Sequence, residues 1–235
     1  MITVASWNVL HRVHAENWGS DIATRWPDEG VRIAAVTDWI AGRPEQVIAL
    51  QEVSGDQLAS LRSALPDRDI HALRYPRVPH PRSGTSPLQD RTEHLVLVVA
   101  GSGREVAAES FDNDPGKGAL AVETAGMVFV ATHVTGDPRR TRQLARLAEL
   151  APPDRVSVLL GDFNIDRDTV ASALGADFAI VDLPADSLPT LPRTSGTKSQ
   201  FIDHVVVHGA TVQDAAVLAV GGLSDHNYLR ATITV

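Results

Sequence analysis

The sequence predicts an α/β protein in which two packed sheets carry helices on their outer faces, and three features point that way. Short apolar runs rich in β-branched residues recur along all 235 residues, each closed by turn residues. Segments with helical spacing fall between these runs and form no block of their own. No linker, internal repeat or low-complexity tract divides the chain, so a single domain over residues 1–235 is expected, a length that two-sheet folds reach undivided.

The elements follow in order. Ile2–Trp7 reads as the first strand. Glu29–Ala41 reads as a helix with an apolar stripe of Val31, Ala35 and Trp39, stopped by Gly42 before Pro44. Val47–Leu50 is the second strand. Ser54-Gly55-Asp56-Gln57 has the capping-box pattern and opens a helix over Ser54–Leu65, with Leu58, Leu61 and Leu65 on one face and Pro66 behind it. Leu95–Val99, Gly118–Val122 and Met127–Thr132 are strands. In Met127-Val128-Phe129-Val130 both faces are apolar, which predicts burial on both sides. Gly101-Ser102-Gly103 and Ala125-Gly126 read as hairpin turns, making part of the sheet antiparallel. Arg139–Leu150 is a helix that gathers Leu144, Leu147 and Ala151 on one face before Pro152-Pro153. Val156–Leu160 is a strand and Asp168–Leu174 a short helix ending at Gly175. Phe201–Val207, Ala216–Val220 and Tyr228–Val235 complete the strands. Tyr75–Thr92 and Asp182–Gln200 are rich in Pro, Ser, Thr and Arg without an apolar period, as functional rims often are.

Composition narrows the classes of function. Cysteine is absent, which removes disulfides, thiolate metal sites and a thiol nucleophile and fits a reducing compartment. The first residues lack the basic start and apolar run of a signal peptide, and no stretch approaches a membrane span, so a cytoplasmic protein without a membrane partner is expected. A formal charge of −8 argues against extended duplex nucleic acid as the partner, because backbone binding draws on a basic face.

The polar residues of interest stand where strands end. Asn8 follows the first strand and Glu52 the second; His133 closes Met127–Thr132. Asp162 and Asn164 lie in Gly161-Asp162-Phe163-Asn164 after a purely aliphatic strand, and Asp225-His226 precede the last one. Carboxylates, amides and imidazoles gathered at strand ends supply the oxygen and nitrogen donors that a hard cation and a phosphate need. Asp203 sits inside an apolar strand, a costly place unless a partner such as an imidazole meets it. Taken singly each residue has a plainer reading, as a turn former, a solvated cap or a packed histidine. Eight such residues at six places in one chain are harder to assign to unrelated turns.

The set Trp7-Asn8, Gln51-Glu52, Thr132-His133, Gly161-Asp162-Phe163-Asn164, Ile202-Asp203-His204 and Ser224-Asp225-His226 resembles the endonuclease/exonuclease/phosphatase superfamily, the deoxyribonuclease I-like fold. The resemblance implies a four-layer α/β/β/α sandwich, Mg²⁺ or Mn²⁺ as cofactor, and attack of water on a phosphate ester. By the same resemblance Glu52 is the principal metal ligand, with Asn8 beside it and Asp225 completing the shell. Asp162 orients or deprotonates the water, Asn164 bonds phosphoryl oxygens, and His226 contacts the scissile phosphate with Asp203 holding its imidazole. His133 matches the nuclease and lipid-phosphatase branches and departs from the tyrosine of abasic-site endonucleases. Lys117 stands where relatives place a basic residue near the phosphate.

Other residues have weaker claims. Arg74, Arg77, Arg82 and Arg91 flank the first long loop as a candidate substrate rim, and Trp18 or Trp26 could stack on a base. His11 and His14 follow Asn8 closely, but no third ligand accompanies them in sequence, which argues against a second metal. His204 and His208 read as structural. The expected substrate is a small or nucleotide-like phosphate ester, or a small phosphodiester. A nuclease acting on DNA or RNA, and a binding module with a dead site, are the alternatives.

Overall fold

Strands apolar on both faces need cover on both sides, and here two sheets cover each other while helices cover their backs. The computed structural model describes residues 1–193 and 198–235. Its first part runs β1 (Ile2–Asn8), α1 (Arg12–Trp18), α2 (Asp21–Arg25), α3 (Glu29–Ala41), β2 (Val47–Ser54), α4 (Gly55–Ala64), β3 (Arg68–Arg74) and β4 (Glu93–Ala100). There follow β5 (Arg104–Phe111), β6 (Asp114–Thr124), β7 (Met127–His133), α5 (Arg140–Glu149), β8 (Ser157–Asp162) and α6 (Arg167–Leu174). The last elements are β9 (Phe178–Ile180), β10 (Asp203–His208), β11 (Thr211–Leu218) and β12 (Tyr228–Thr234). The first sheet has the order β11-β12-β1-β2-β4-β3, the second β5-β6-β7-β8-β10-β9. Each holds one parallel pair, β1 with β2 and β7 with β8, among antiparallel neighbours.

Alternation assigns each strand residue to a layer. Val4, Ala49, Leu97, Phe129, Leu160 and Val205 meet between the sheets. Trp7, Ile48, Leu50 and Val96 face α3 and α4, while Val130, Leu159 and Val206 face α5 and α6. The result is the four-layer sandwich. Met127–His133 is buried throughout, on both faces.

Several local expectations need correction. On α3 the buried positions are Glu29, Arg32, Val36, Thr37 and Ile40, whereas Val31 is 54% exposed. A charged side chain occupies the inward stripe, so the apolar pattern sets it one residue out of phase. Gly101-Ser102-Gly103 is no hairpin, since β4 belongs to the first sheet and β5 to the second. Ala125-Gly126 does join β6 and β7 as a tight turn, with φ of 50° and 77° as a primed turn requires. Ser54 caps α4 by accepting from the Gln57 N–H at 3.1 Å, while the Gln57 side chain turns away to Thr37 Oγ1 at 2.8 Å and leaves the box half closed. Phe201 and Ile202 precede β10, which begins at Asp203, and β11 begins at Thr211 rather than at Ala216. The strands without a sequence signal, β3, β5 and β9, lie at sheet edges; in β3 and β5 charge replaces apolar alternation, and β9 is only three residues long. The described residues of the two long loops contain no helix or strand; positions 194–197 of the second lie outside the described residues.

Candidate active site

The parallel strands β1 and β2 end together, with Asn8 opposite Gln51, so Asn8 and Glu52 emerge side by side. Past Leu50 a bulge interrupts β2, and Glu52 takes a left-handed φ of 58°. That conformation costs a non-glycine residue about 1–2 kcal/mol and re-aims its side chain. Among the described residues Leu10 (φ 59°) and Asn164 (φ 57°) are strained in the same way, and both adjoin the site. Asn8 Nδ2 donates to Glu52 Oε1 at 3.2 Å and to Asp162 Oδ2 at 3.1 Å, one amide joining the two sheets. The second oxygen of Glu52 accepts the His11 N–H at 3.1 Å. Burial pushes the Glu52 carboxyl up, but His14, His133 and Lys117 outweigh it and hold the pKa at about 2.

From the second sheet, β7 and β8 bring His133 opposite Asp162. Gly161 permits their close approach, since a Cβ there would stand 2.1 Å from the Thr132 carbonyl oxygen. Asp162 Oδ1 accepts the Asn164 N–H at 2.8 Å; Oδ2 lies 3.4 Å from His133 Nε2 and 3.8 Å from His226 Nε2. Burial opposes its charge, yet His133, His226 and Lys117 keep it well below the usual carboxylate range. Asn164 Nδ2 donates to the Val134 carbonyl at 2.9 Å. Lys117, on β6 and not in a turn, contacts His133 Nε2; burial lowers its ammonium pKa while Asp162, Glu52 and Glu93 resist.

Asp203 opens β10 directly opposite Asp162, its N–H and that of Ile202 both donated to Thr190 Oγ1. Its Oδ2 lies 2.9 Å from His226 Nδ1, while Oδ1 is buried without a partner. Burial alone would lower the His226 pKa; the carboxylates of Asp203, Asp162 and Asp225 override it and raise the value to about 10. His226 is itself anchored, its carbonyl accepting Trp7 Nε1 at 3.0 Å and its N–H donating to Ser224 Oγ at 3.2 Å. Ser224 Oγ in turn donates to the Asn8 carbonyl at 2.7 Å. Beneath them the buried Arg32 pairs twice with Glu29, at 2.6 and 2.9 Å, and donates to the carbonyls of Val9, Leu10 and Leu223. It therefore ties the exit of β1 to the approach to Asp225. Asp225 is raised, first by burial and then by Glu52 and Asp162, with His226 opposing.

Asn8, Glu52, Lys117, His133, Asp162, Asn164, Asp203, Asp225 and His226 are thus brought to one end of the sandwich. Two further groups share it. His14 Nε2 lies 3.1 Å from Glu93 Oε2, and the buried hydroxyl of Tyr75 has no partner. Glu93 is the acidic neighbour that the sequence around His11 and His14 does not show; it arrives from β4, 79 residues beyond His14 in the chain, so only topology reveals it. Burial opposes charge on His14, but Glu52 and Glu93 raise its pKa. His11 caps α1 by accepting the Val13 N–H at 3.2 Å, and burial takes its pKa down to about 4. His204 and His208 lie against the backbone carbonyls of Ile165 and Arg155, at 2.9 and 3.2 Å. Arg82 stacks 4.6 Å over Trp18, and Trp26 donates to the Gly222 carbonyl at 2.8 Å.

The donor set suits a hard cation. Among the described residues Asp162, Asp203 and His226 have ligand atoms within 4.8 Å of one another. Because His226 Nδ1 already bonds Asp203, this group is an acid–imidazole pair beside a carboxylate. Asp225 is a carboxyl whose charge burial and its acidic neighbours disfavour, a condition that a nearby cation relieves.

Comparison with known proteins follows the same line. The model of the Endonuclease/Exonuclease/phosphatase family matches residues 5–226. Among solved structures, the Bacteroides thetaiotaomicron mannosyl-6-phosphatase Bt3783 is 17% identical, with TM-score 0.70 and 100% of each chain covered. A humanised D. rerio TDP2 carrying 14 mutations is 15% identical with TM-score 0.69, covering 100% of this chain and 99% of that one. An endonuclease/exonuclease/phosphatase from Beutenbergia cavernae is 18% identical with TM-score 0.67, covering 100% and 71%. At these identities the likeness is one of fold. No curated protein matches the sequence.

Proposed function

The chain belongs to the endonuclease/exonuclease/phosphatase family, and from that premise we propose that it is a Mg²⁺- or Mn²⁺-dependent hydrolase of a small or nucleotide-like phosphate ester. One observation supports this above the rest: the Asn8 amide bridges Glu52 and Asp162 across the two sheets, next to the His226–Asp203 pair. Glu52, Asn8 and Asp225 would hold the cation, which when bound offsets negative charge on the phosphoryl oxygens.

The remaining work falls to side chains. Asp162, kept ionised, accepts a hydrogen bond from water and aims it at phosphorus. His226, kept protonated by Asp203, presents Nε2–H to the phosphate or to the departing oxygen. Lys117 adds a donor beside His133, and Asn164 a backbone-fixed amide. The mannosyl-6-phosphatase among the structural neighbours accords with a small ester. A D. rerio TDP2 was solved with a single strand DNA product, which keeps a nucleic-acid end in the screen. A phosphate-release assay over nucleotides, sugar phosphates, cyclic phosphates and oligonucleotides, with Mg²⁺ or Mn²⁺ and with chelator, tests the reading. Metal-dependent release from a small ester supports it. Cleavage of oligonucleotides alone makes the protein a nuclease, and turnover of no ester leaves a binding module.

A further inference from the structure

A second carboxylate–imidazole pair faces the cleft from the first sheet. Glu93, 1% exposed, stands at the first position of β4 opposite Ser54, two residues beyond Glu52. Its Oε2 lies 3.1 Å from His14 Nε2, the only side-chain hydrogen bond of His14 among the described residues, while the His11 ring packs 5.4 Å away. The His14 side chain retains 20% of its exposure and so reaches solvent, while the buried Glu93 holds it from the inner side. A protonated imidazole has two N–H donors, of which Glu93 occupies one and leaves Nδ1–H for a ligand.

The first long loop borders this side of α1. Asn17, on the next turn of α1, donates to the His80 carbonyl at 2.9 Å and accepts the Arg82 N–H at 2.8 Å. The first long loop is thereby fastened along α1. An ester group needs an open path away from phosphorus, whereas a bare oxygen needs only a donor. A phosphate monoester also carries roughly −1.5 to −2 charges at neutral pH, so it has an additional anionic oxygen to satisfy.

We infer that His14, held by Glu93, binds a non-bridging oxygen of the substrate phosphate and selects phosphate monoesters over diesters. This rests on the phosphoester hydrolase reading above and narrows its substrate. His14 is a specificity residue, and Glu93 a positioning residue that acts through it.

The test compares wild type, His14→Gln, His14→Lys and Glu93→Gln on p-nitrophenyl phosphate and bis(p-nitrophenyl) phosphate with Mg²⁺. Calorimetric titration with inorganic phosphate runs in parallel. In His14→Gln, kcat/KM for the monoester is expected to fall about tenfold further than for the diester, and phosphate affinity to weaken about tenfold, as for loss of one charged hydrogen bond. Glu93→Gln should shift both in the same direction, and His14→Lys should restore part of the phosphate affinity. A parallel loss on both esters, or phosphate affinity within about twofold of wild type, overturns the proposal and makes the pair a tie between α1 and β4. If Glu93→Gln fails to fold, His14→Gln decides alone. If wild type hydrolyses neither ester, the hydrolase reading fails, and the phosphate titration still decides whether His14 binds the anion.

Discussion

The two sheets each end a parallel strand pair at the site, and they do so differently. In the second sheet β7 and β8 stay in register to their last residues, so His133 and Asp162 face each other at 3.4 Å. In the first sheet the register breaks after Leu50, and Glu52 leaves the strand through a left-handed backbone. The regular pair presents a fixed acid against an imidazole. The broken pair spends about 1–2 kcal/mol of local strain to swing a carboxylate across to Asn8. Under the function proposed above, proton handling falls to the regular side and cation holding to the bent one, a division of labour that substitutions can probe from either side.

The largest effect is expected on the regular side. Asp162→Ala should reduce kcat by about 10³-fold or more, with the melting temperature little changed, if it removes the group proposed to aim water. Steady-state kinetics beside a thermal melt checks this; near-normal kcat would move the acid role elsewhere. Next comes the support beneath the bent side. Arg32→Ala strands the buried Glu29 and frees the carbonyls of Val9, Leu10 and Leu223, and should cost about 3–5 kcal/mol in urea denaturation. Glu52→Ala should raise the Mg²⁺ concentration for half-maximal activity by about 10–100-fold. An unchanged metal titration would dissolve the proposed division.

A pH series separates the sides further. His226 has its pKa raised from 6.5 to about 10, so the stability it gains from Asp203 is complete below pH 6.5 and is lost as pH rises through about 10. The melting temperature of wild type minus that of Asp203→Asn, measured without metal, should therefore shrink steadily across that window. A flat difference would show that Asp203 does not hold the charged imidazole. The smallest effect tests the register of α3. Val31→Ala should change stability by no more than about 0.5 kcal/mol, because the side chain is solvated, whereas Val36→Ala, fully buried, should cost about 1–3 kcal/mol.

Much of the architecture was legible in the chain because burial on two faces leaves a plain mark. Met127–Thr132 and Val47–Leu50 carry it, and α4 and α5 show their stops at Pro66 and Pro152. Where charge sits in a buried or edge position the mark fades. Arg32 hides the inward stripe of α3, and Arg68–Arg74 is an edge strand with Arg, Asp, His and Arg among its seven residues. The crossing at Gly101–Gly103 carries the residues of a hairpin, and only the sheet to which β5 belongs tells otherwise. At the site, residues beside strand ends were visible as motifs. Glu93 was not, because a lone Glu between Thr92 and His94 has no signature until β4 is paired with β2.

One arrangement governs timing. β1 is flanked by β12, from the far side of the domain in sequence, and Ser224 and Trp7 tie the two segments together. A chain made only as far as β11 has neither His226 nor the strand that pairs with β1. The site is therefore complete only once segments far apart in the sequence have met, and such non-local pairing is a feature of slowly folding topologies.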